Sequence, residues 1–328
     1  MAAHFLRGVH ISERAIQYAV GVAGGCIFGG YLLPHGFFIE KYKRFLQAYK
    51  DGLPVPLSPQ LRRHVDAVLD DAAVDAEERQ QLRFFTAFGA DPAHAGETGL
   101  RWGAVVGLPQ TFAFANAEDV AASGFVVGGQ KVAWQSREGA LLSHGLCLSP
   151  AGQRFAIARE LSLARASHVY ADGAIGTGAF FVTYSLGRAT NRRMGFAQRP
   201  LVLRLMLYTL VSLFGIALWT TVTDLVQHYR DSQADQAAAQ LGATYAWGGV
   251  EFYEKMLERN RALRRLLGDA GERQYSAYGN ELYMLRTPRM PVTERLETLR
   301  AYCERHHPRD EVAPPATGPD AEVAPPAT

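Results

Sequence analysis

Three uncharged or nearly uncharged runs interrupt a chain of otherwise mixed polarity. The first, residues 15–38 (AIQYAVGVAGGCIFGGYLLPHGFF), carries no charge over more than the roughly 20 residues that a helix needs to cross a bilayer. Gly21, Gly25 and Gly29 are spaced as two overlapping GxxxG steps, which predicts close packing against another helix. The second run, 169–187, is weaker, with Asp172 and four glycines. The third, 200–222, is strongly apolar despite Arg204, whose long side chain can reach an interface. Between the last two lies RATNRRMGFAQR, with Arg188, Arg192, Arg193 and Arg199; so short and basic a loop belongs on the inner side of a membrane. Runs two and three therefore form a hairpin, and the polar segments flanking it share one side. The first run fits less well, because Lys41, Lys43 and Arg44 after it outweigh Arg7 and Arg14 before it. Its length, and the lack of a small-x-small site, argue against a cleaved signal peptide.

The polar remainder divides at these runs. The expected organisation is an N-terminal matrix segment at 1–14, a span at 15–38 and a soluble segment at 39–168. A span at 169–187, a basic loop at 188–199 and a span at 200–222 follow, then a helical segment at 223–309 and a disordered tail at 310–328. Within 39–168, LPVPLSP (53–59) reads as a stiff linker, 61–88 as a charged helix, and 103–134 as short strands with glycine turns. Ser149-Pro150 is a helix start, a hydroxyl cap before proline at the first helical position. Phe155, Ala158, Leu161 and Leu163 then mark the helix QRFAIARELSLARA (153–166). In the last segment, 231–267 reads as two helices broken at Gly248-Gly249, with Val250, Phe252, Tyr253, Met256, Leu257 and Leu263 as a core stripe. Residues 268–279 read as a loop and 296–303 as a final helix. The tail repeats EVAPPAT, too rich in proline and too poor in large apolar residues to pack.

Charge and chemistry narrow the class. With 34 basic and 32 acidic residues there is no polyelectrolyte signal for nucleic acid; the expected surroundings are membrane lipid. Cys26, Cys147 and Cys303 lie far apart, so neither a disulfide framework nor a structural zinc site is expected, and no cofactor is implied. His94, His144 and His168 stand alone in sequence, and the adjacent His306-His307 would point apart on a helix.

One pattern stands out. Arg159-Glu160-Leu161-Ser162-Leu163 has the outline of an HExxH helix without its histidines. In HExxH two imidazoles four residues apart hold zinc and the glutamate polarises its water. Here Arg159 stays protonated and Leu163 has no lone pair. After the hairpin comes Asp231-x-x-Ala234-Asp235, then Leu241-Gly242. The order resembles the integral-membrane zinc metallopeptidases of the CAAX prenyl protease and heat-shock membrane peptidase class, with HExxH, two spans, then ExxAD. Carried over by position, that resemblance implies ligands at Arg159, Leu163 and Asp231, a general base at Glu160 and an orienting aspartate at Asp235. Two ligands are lost, so it implies the fold and argues against the activity.

A second resemblance covers most of the chain. GGVEFYEKMLERNRALRRLLGDAGERQYSAYG (248–279), AVVGLP (104–109) and RFAIARE (154–160) resemble the transmembrane protein 177 family of the mitochondrial inner membrane. This implies a multi-pass protein that supports biogenesis of cytochrome c oxidase subunit II by stabilising its assembly chaperone, and that associates with copper metallochaperones. The repeated tail departs from the family pattern.

The expected fold is α+β and integral to the membrane: mainly helical with a small β-sheet, three transmembrane helices and a degenerate metallopeptidase-like body. The leading functional expectation is a non-catalytic assembly factor in which Arg159 and Asp231 approach as an ion pair, with partners received by strand addition along 103–134. The alternative is an active membrane zinc metallopeptidase with non-standard ligands, drawn from His144, His168 and His228, which lack ligand spacing. A transporter or channel would call for more spans and paired intramembrane charge.

Overall fold

The computed structural model describes residues 12–166 and 168–308. Most of the expected segment 1–14, including Arg7, and all of the expected tail at 310–328 lie outside the described residues. The chain begins with α1 (Glu13–His35), capped by Ser12, and α2 (Ile39–Leu46). A two-residue hairpin, β1 (Tyr49–Lys50) and β2 (Leu53–Pro54), leads to α3 (Pro59–Asp71) and α4 (Ala76–Gln81). Then come β3 (Leu82–Ala87), β4 (Ala93–Gly96), β5 (Ala104–Pro109), α5 (Ala117–Ala122) and the small hairpin β6 (Val126–Val127) and β7 (Gln130–Lys131). The rest is helical: α6 (Arg137–Leu146), α7 (Pro150–Arg165), α8 (His168–Met194), α9 (Leu201–Ala239), α10 (Ala243–Leu266), α11 (Asp269–Gln274) and α12 (Val292–His306).

Helices α1, α8 and α9 lie side by side with α8 in the middle. Small residues set the spacing: a Cβ on Gly24 would meet the Phe181 ring at 2.7 Å, one on Gly176 would meet Tyr31 at 2.9 Å, and one on Gly215 would meet Thr183 at 2.1 Å. These pairings run in opposite senses along the two chains, so α8 is antiparallel to both neighbours. The expected GxxxG face is not the packed one. Gly21, Gly25 and Gly29 have nothing within 4 Å, and Gly24 with the glycines of α8 makes the contact instead.

Two of the described helices, α1 and α9, are long and apolar enough to cross a membrane, rather than the three expected. Helix α8 misses because Asp172 and its terminal arginines dilute its apolar stretch. The expected boundaries also shift. Arg188, Arg192 and Arg193 belong to α8, so most of the basic "loop" is helix. The boundary at 222 falls inside α9, which runs unbroken for 39 residues, about 58 Å at 1.5 Å per residue. The start of α1 and the α8–α9 turn share one end, with Arg188 3.7 Å from Glu13, while Lys41 and Lys43 on α2 lie at the other. The conflict in charge placement read from the sequence thus persists in three dimensions.

The body beyond this bundle is organised on α7, whose Phe155, Ala156, Ile157 and Leu161 are almost wholly buried. The sheet has the order β3-β5-β4, with β5 parallel to β3 and antiparallel to β4. Within 103–134, β5 therefore offers no edge, being paired on both sides; the outer strands of this sheet are β3 and β4, and β6 and β7 form a separate hairpin. The segment 117–122 is a helix rather than a strand, held by a capping box between Asn116 and Asp119. The helix expected over 61–88 ends earlier, and its apolar, aromatic end LRFFTA becomes β3. Helix α11 falls in the expected loop at 268–279.

The glycine pair Gly248-Gly249 does not break a helix. Helix α10 continues through it, and the break lies at Gly242, whose φ of 142° suits glycine. The pair instead lets α10 press on α7: a Cβ on Gly248 would lie 2.4 Å from the Ala151 carbonyl oxygen, and one on Gly249 2.6 Å from the Phe155 ring. Gly248→Ala should therefore force the two helices apart and cost about 1–3 kcal/mol, seen as a melting temperature several degrees lower by scanning fluorimetry in detergent. An unchanged melting point would mean that α7 and α10 are not in backbone contact.

Candidate functional site

The sequence places Arg159 and Glu160 next to each other on α7, and helical geometry spreads adjacent side chains by about 100°. On a surface helix one of the two would face solvent. Here both are buried, because α9, α10 and β4 pack on α7. A buried guanidinium needs acceptors for its donors, and the fold supplies three carboxylates. Arg159 Nη1 donates to Glu160, Nη2 to Asp231 Oδ1 at 2.6 Å, and Nε to Asp235 Oδ1 at 3.1 Å. Asp231 and Asp235 stand four residues apart on α9 and so present one face to α7. The sequence-level expectation that Arg159 and Asp231 approach corresponds to this 2.6 Å ion pair.

The network extends beyond the residues that sequence reasoning singled out. Arg295 of α12 clamps Asp235 with two bonds, 2.8 Å from Nε and 2.6 Å from Nη2, and stacks 4.6 Å from the centre of the Tyr253 ring. Tyr253 of α10 donates its hydroxyl to Asp235 Oδ1 at 2.6 Å. His94 of β4 sets Nδ1 2.7 Å from Glu160 Oε2, and the ring must donate there while the carboxylate is ionised. No spacing signal pointed to these three. Tyr253 sits in a stripe that reads as core, Arg295 precedes Leu296 on an ordinary amphipathic helix, and His94 is 66 residues from Glu160. The fold also contradicts the isolation of His94 and His168, whose rings pack edge to face with centroids 5.2 Å apart, beside His35.

Burial alone would raise the Glu160 carboxyl, but the Arg159 charge and the His94 hydrogen bond outweigh it and bring it to about 2. Burial would likewise lower the Arg159 guanidinium, and Tyr253 with the surrounding carboxylates more than offsets that and holds it charged. Burial pushes the Tyr253 phenol well up, so it remains a donor. Two guanidiniums thus face three carboxylates, and Asp231 Oδ2 is buried with no hydrogen-bond partner.

This donor set does not suit a divalent cation. Arg159 stands at the position of the first ligand in the HExxH pattern, donates to one oxygen each of Glu160, Asp231 and Asp235, and puts a fixed positive charge among them. Leu163, one turn on, is buried and offers none. Among the described residues no three His, Cys, Asp or Glu side chains are placed to hold a metal ion. The alternative ligands stay apart: His144 pairs with Glu258 of α10 at 2.5 Å, and His228 of α9 lies 2.8 Å from the Thr287 carbonyl oxygen. The segment 281–291 closes the site from outside. Between that segment and Arg159, Tyr253 and Arg295 remains a cavity of about 70 Å³, and Arg286 ties the segment back to α9 through Asp224 at 2.7 Å.

Comparisons with known proteins agree over most of the chain. A family model described as Transmembrane protein 177 matches residues 71–302. The human protein of that name is 33% identical over 282 residues, covering 85% of this chain and 90% of the human one. The zebrafish protein is 31% identical over 283 residues, covering 85% and 90%, and the rat protein 32% identical over 293 residues, covering 89% and 93%. No solved structure matches the chain.

The charge network has a definite energetic signature. Arg159→Ala leaves the buried Asp231 carboxylate without its cation and removes one donor each from Glu160 and Asp235, and should cost about 3–5 kcal/mol, a fall in melting temperature of about 10 °C. Arg159→Met combined with Asp231→Leu should cost less than Arg159→Met alone, and additive losses would show that the pair is not coupled. Because the folded Glu160 carboxyl lies below its ordinary value of 4.5, its contribution is fully present above pH about 4.5 and is lost as pH falls toward about 2. Acid unfolding should therefore steepen across that window, and Glu160→Gln should flatten it.

Proposed function

The chain belongs to the transmembrane protein 177 family, and from that premise we propose that it is a non-catalytic assembly factor of the mitochondrial inner membrane. In this reading it supports biogenesis of cytochrome c oxidase subunit II by stabilising the dedicated assembly chaperone of that subunit, and it meets copper metallochaperones in the same assembly. The observation that carries the non-catalytic part is the position of Arg159. A guanidinium at the first ligand position of the HExxH pattern, saturated by Glu160, Asp231 and Asp235, replaces a metal charge with a side-chain charge. The pattern of α7, hairpin and α9 supports descent from a membrane metallopeptidase-like scaffold, with α8 as a third span.

An ionised Glu160 with a pKa of about 2 is also a weak base near neutral pH, since general bases work best when their pKa lies near the operating pH. What such a body retains is a rigid surface outside the membrane, with β3 and β4 as the outer strands of its sheet. Strand addition at one of these edges is the mode by which an extended partner segment would dock.

Deletion of the chain in its own cells should lower the steady-state level of the subunit II chaperone, and then of subunit II. Re-expression of Glu160→Gln should restore both to within about twofold of the level reached with the unaltered chain, because the network keeps its hydrogen bonds and no chemistry is lost. The reading fails if a stably accumulated Glu160→Gln chain gives no rescue while the unaltered purified chain carries stoichiometric zinc.

A further inference from the structure

We propose that the groove between α1, α8 and α9 is a binding site for an anionic phospholipid, its phosphate held by Arg188 and Arg192. The inference rests on the reading that α8 lies in the membrane between α1 and α9. The groove encloses about 900 Å³ and is walled mainly by apolar side chains, among them Ile27, Phe180, Val211 and Ile216. Gly187 leaves room in it, for a Cβ there would meet nothing nearer than Val211 at 3.5 Å. Along α8 it runs from Gly176 to Arg192, about 24 Å by helical rise, which exceeds the roughly 15 Å of one leaflet of a 30 Å hydrocarbon core. An acyl chain fits along it with the headgroup at one end.

The polar groups gather at that one end. Arg188 and Arg192 are four residues apart on α8, so both face the groove mouth. Positive-inside placement accounts for arginines at this end, but not for two of them on the groove face. The arginines are not consumed by the protein. Arg188 has Glu13 at 3.7 Å, and the Glu13 side chain is 86% exposed; Arg192 makes no ion pair among the described residues. Arg204 Nε, one turn before the groove residue Tyr208, is a buried donor with no hydrogen-bond partner. An apolar slot ending in paired guanidiniums at the basic end of the helix bundle matches a lipid phosphate with an acyl chain behind it. A neutral transmembrane helix from another protein would fill the slot and leave these donors unanswered.

The test uses the full chain reconstituted with equal phosphatidylglycerol and phosphatidylcholine, then released from the bilayer and weighed intact by native mass spectrometry. Two arginines at the usual strength of a basic residue toward an anionic headgroup should favour retained phosphatidylglycerol by about 30-fold. Arg188→Gln with Arg192→Gln should bring the two lipids to parity, and Ala179→Phe, which fills the apolar part of the groove, should lose both. Equal retention of both lipids by the unaltered chain overturns the proposal, as does displacement of phosphatidylglycerol by inorganic phosphate alone, or a lipid-free dimer showing that a second copy occupies the groove. Ala179→Cys separates this from the reading beneath it. If a water-soluble maleimide labels that cysteine in intact vesicles, located by peptide mapping, α8 is outside the membrane and both fall. If the cysteine is protected and the lipids are retained equally, only the lipid site falls.

Discussion

A guanidinium cannot be buried without acceptors, and the arrangement of this protein's body follows from satisfying one. Arg159 draws on the carboxylates of Glu160, Asp231 and Asp235, and Asp235 is shared with Arg295 and Tyr253. These residues come from α7, α9, α10 and α12, and His94 adds β4. In a medium where each unpaired charge would cost several kcal/mol, five elements are held in one mutual register by a single charged centre. The net stabilisation of such a network is modest; its specificity is not, because any other packing leaves a charge without its partner.

The bundle of α1, α8 and α9 makes that centre geometrically possible. Helix α7 leads directly into α8, and the chain returns as α9, so the acids on α9 arrive at the same end of the bundle that α7 left. Because α9 is one uninterrupted helix, Asp231 and Asp235 are positioned by the same rod that carries the apolar stretch. Arg230 strengthens the tie through Asp172 at 2.7 Å, between the two helices. On the opposite side of α7, the glycine pair of α10 allows backbone contact, and Phe155, Phe252 and Tyr253 pack around it. Apolar packing thus fixes one flank of α7 and charge fixes the other.

Hydrolytic metal chemistry needs an open coordination position and a base that titrates near neutral pH. In this cluster a guanidinium stands among the carboxylates, and Glu160 is held ionised far below neutrality. The segment 281–291, tied to α9 through Arg286 and Thr287, lies across the remaining small cavity.

Local patterns in the chain determined much of this. Apolar length marked α1 and α9, the Ser149-Pro150 cap marked α7, and the spacing of Arg159, Glu160, Asp231 and Asp235 marked the charged centre, since helical periodicity puts such residues on definite faces. What the chain could not show locally was decided by packing between distant elements. Gly248-Gly249 read as a helix break because glycine disfavours helix, yet close approach to α7 overrides that preference. AVVGLP read as one of several short strands open to strand addition, yet it is the sheet's centre, because strand order depends on neighbours far away in sequence. His94 and Arg295 entered the charged centre unannounced. Periodicity reports which face a residue occupies on its own element; only the tertiary fold decides which faces meet.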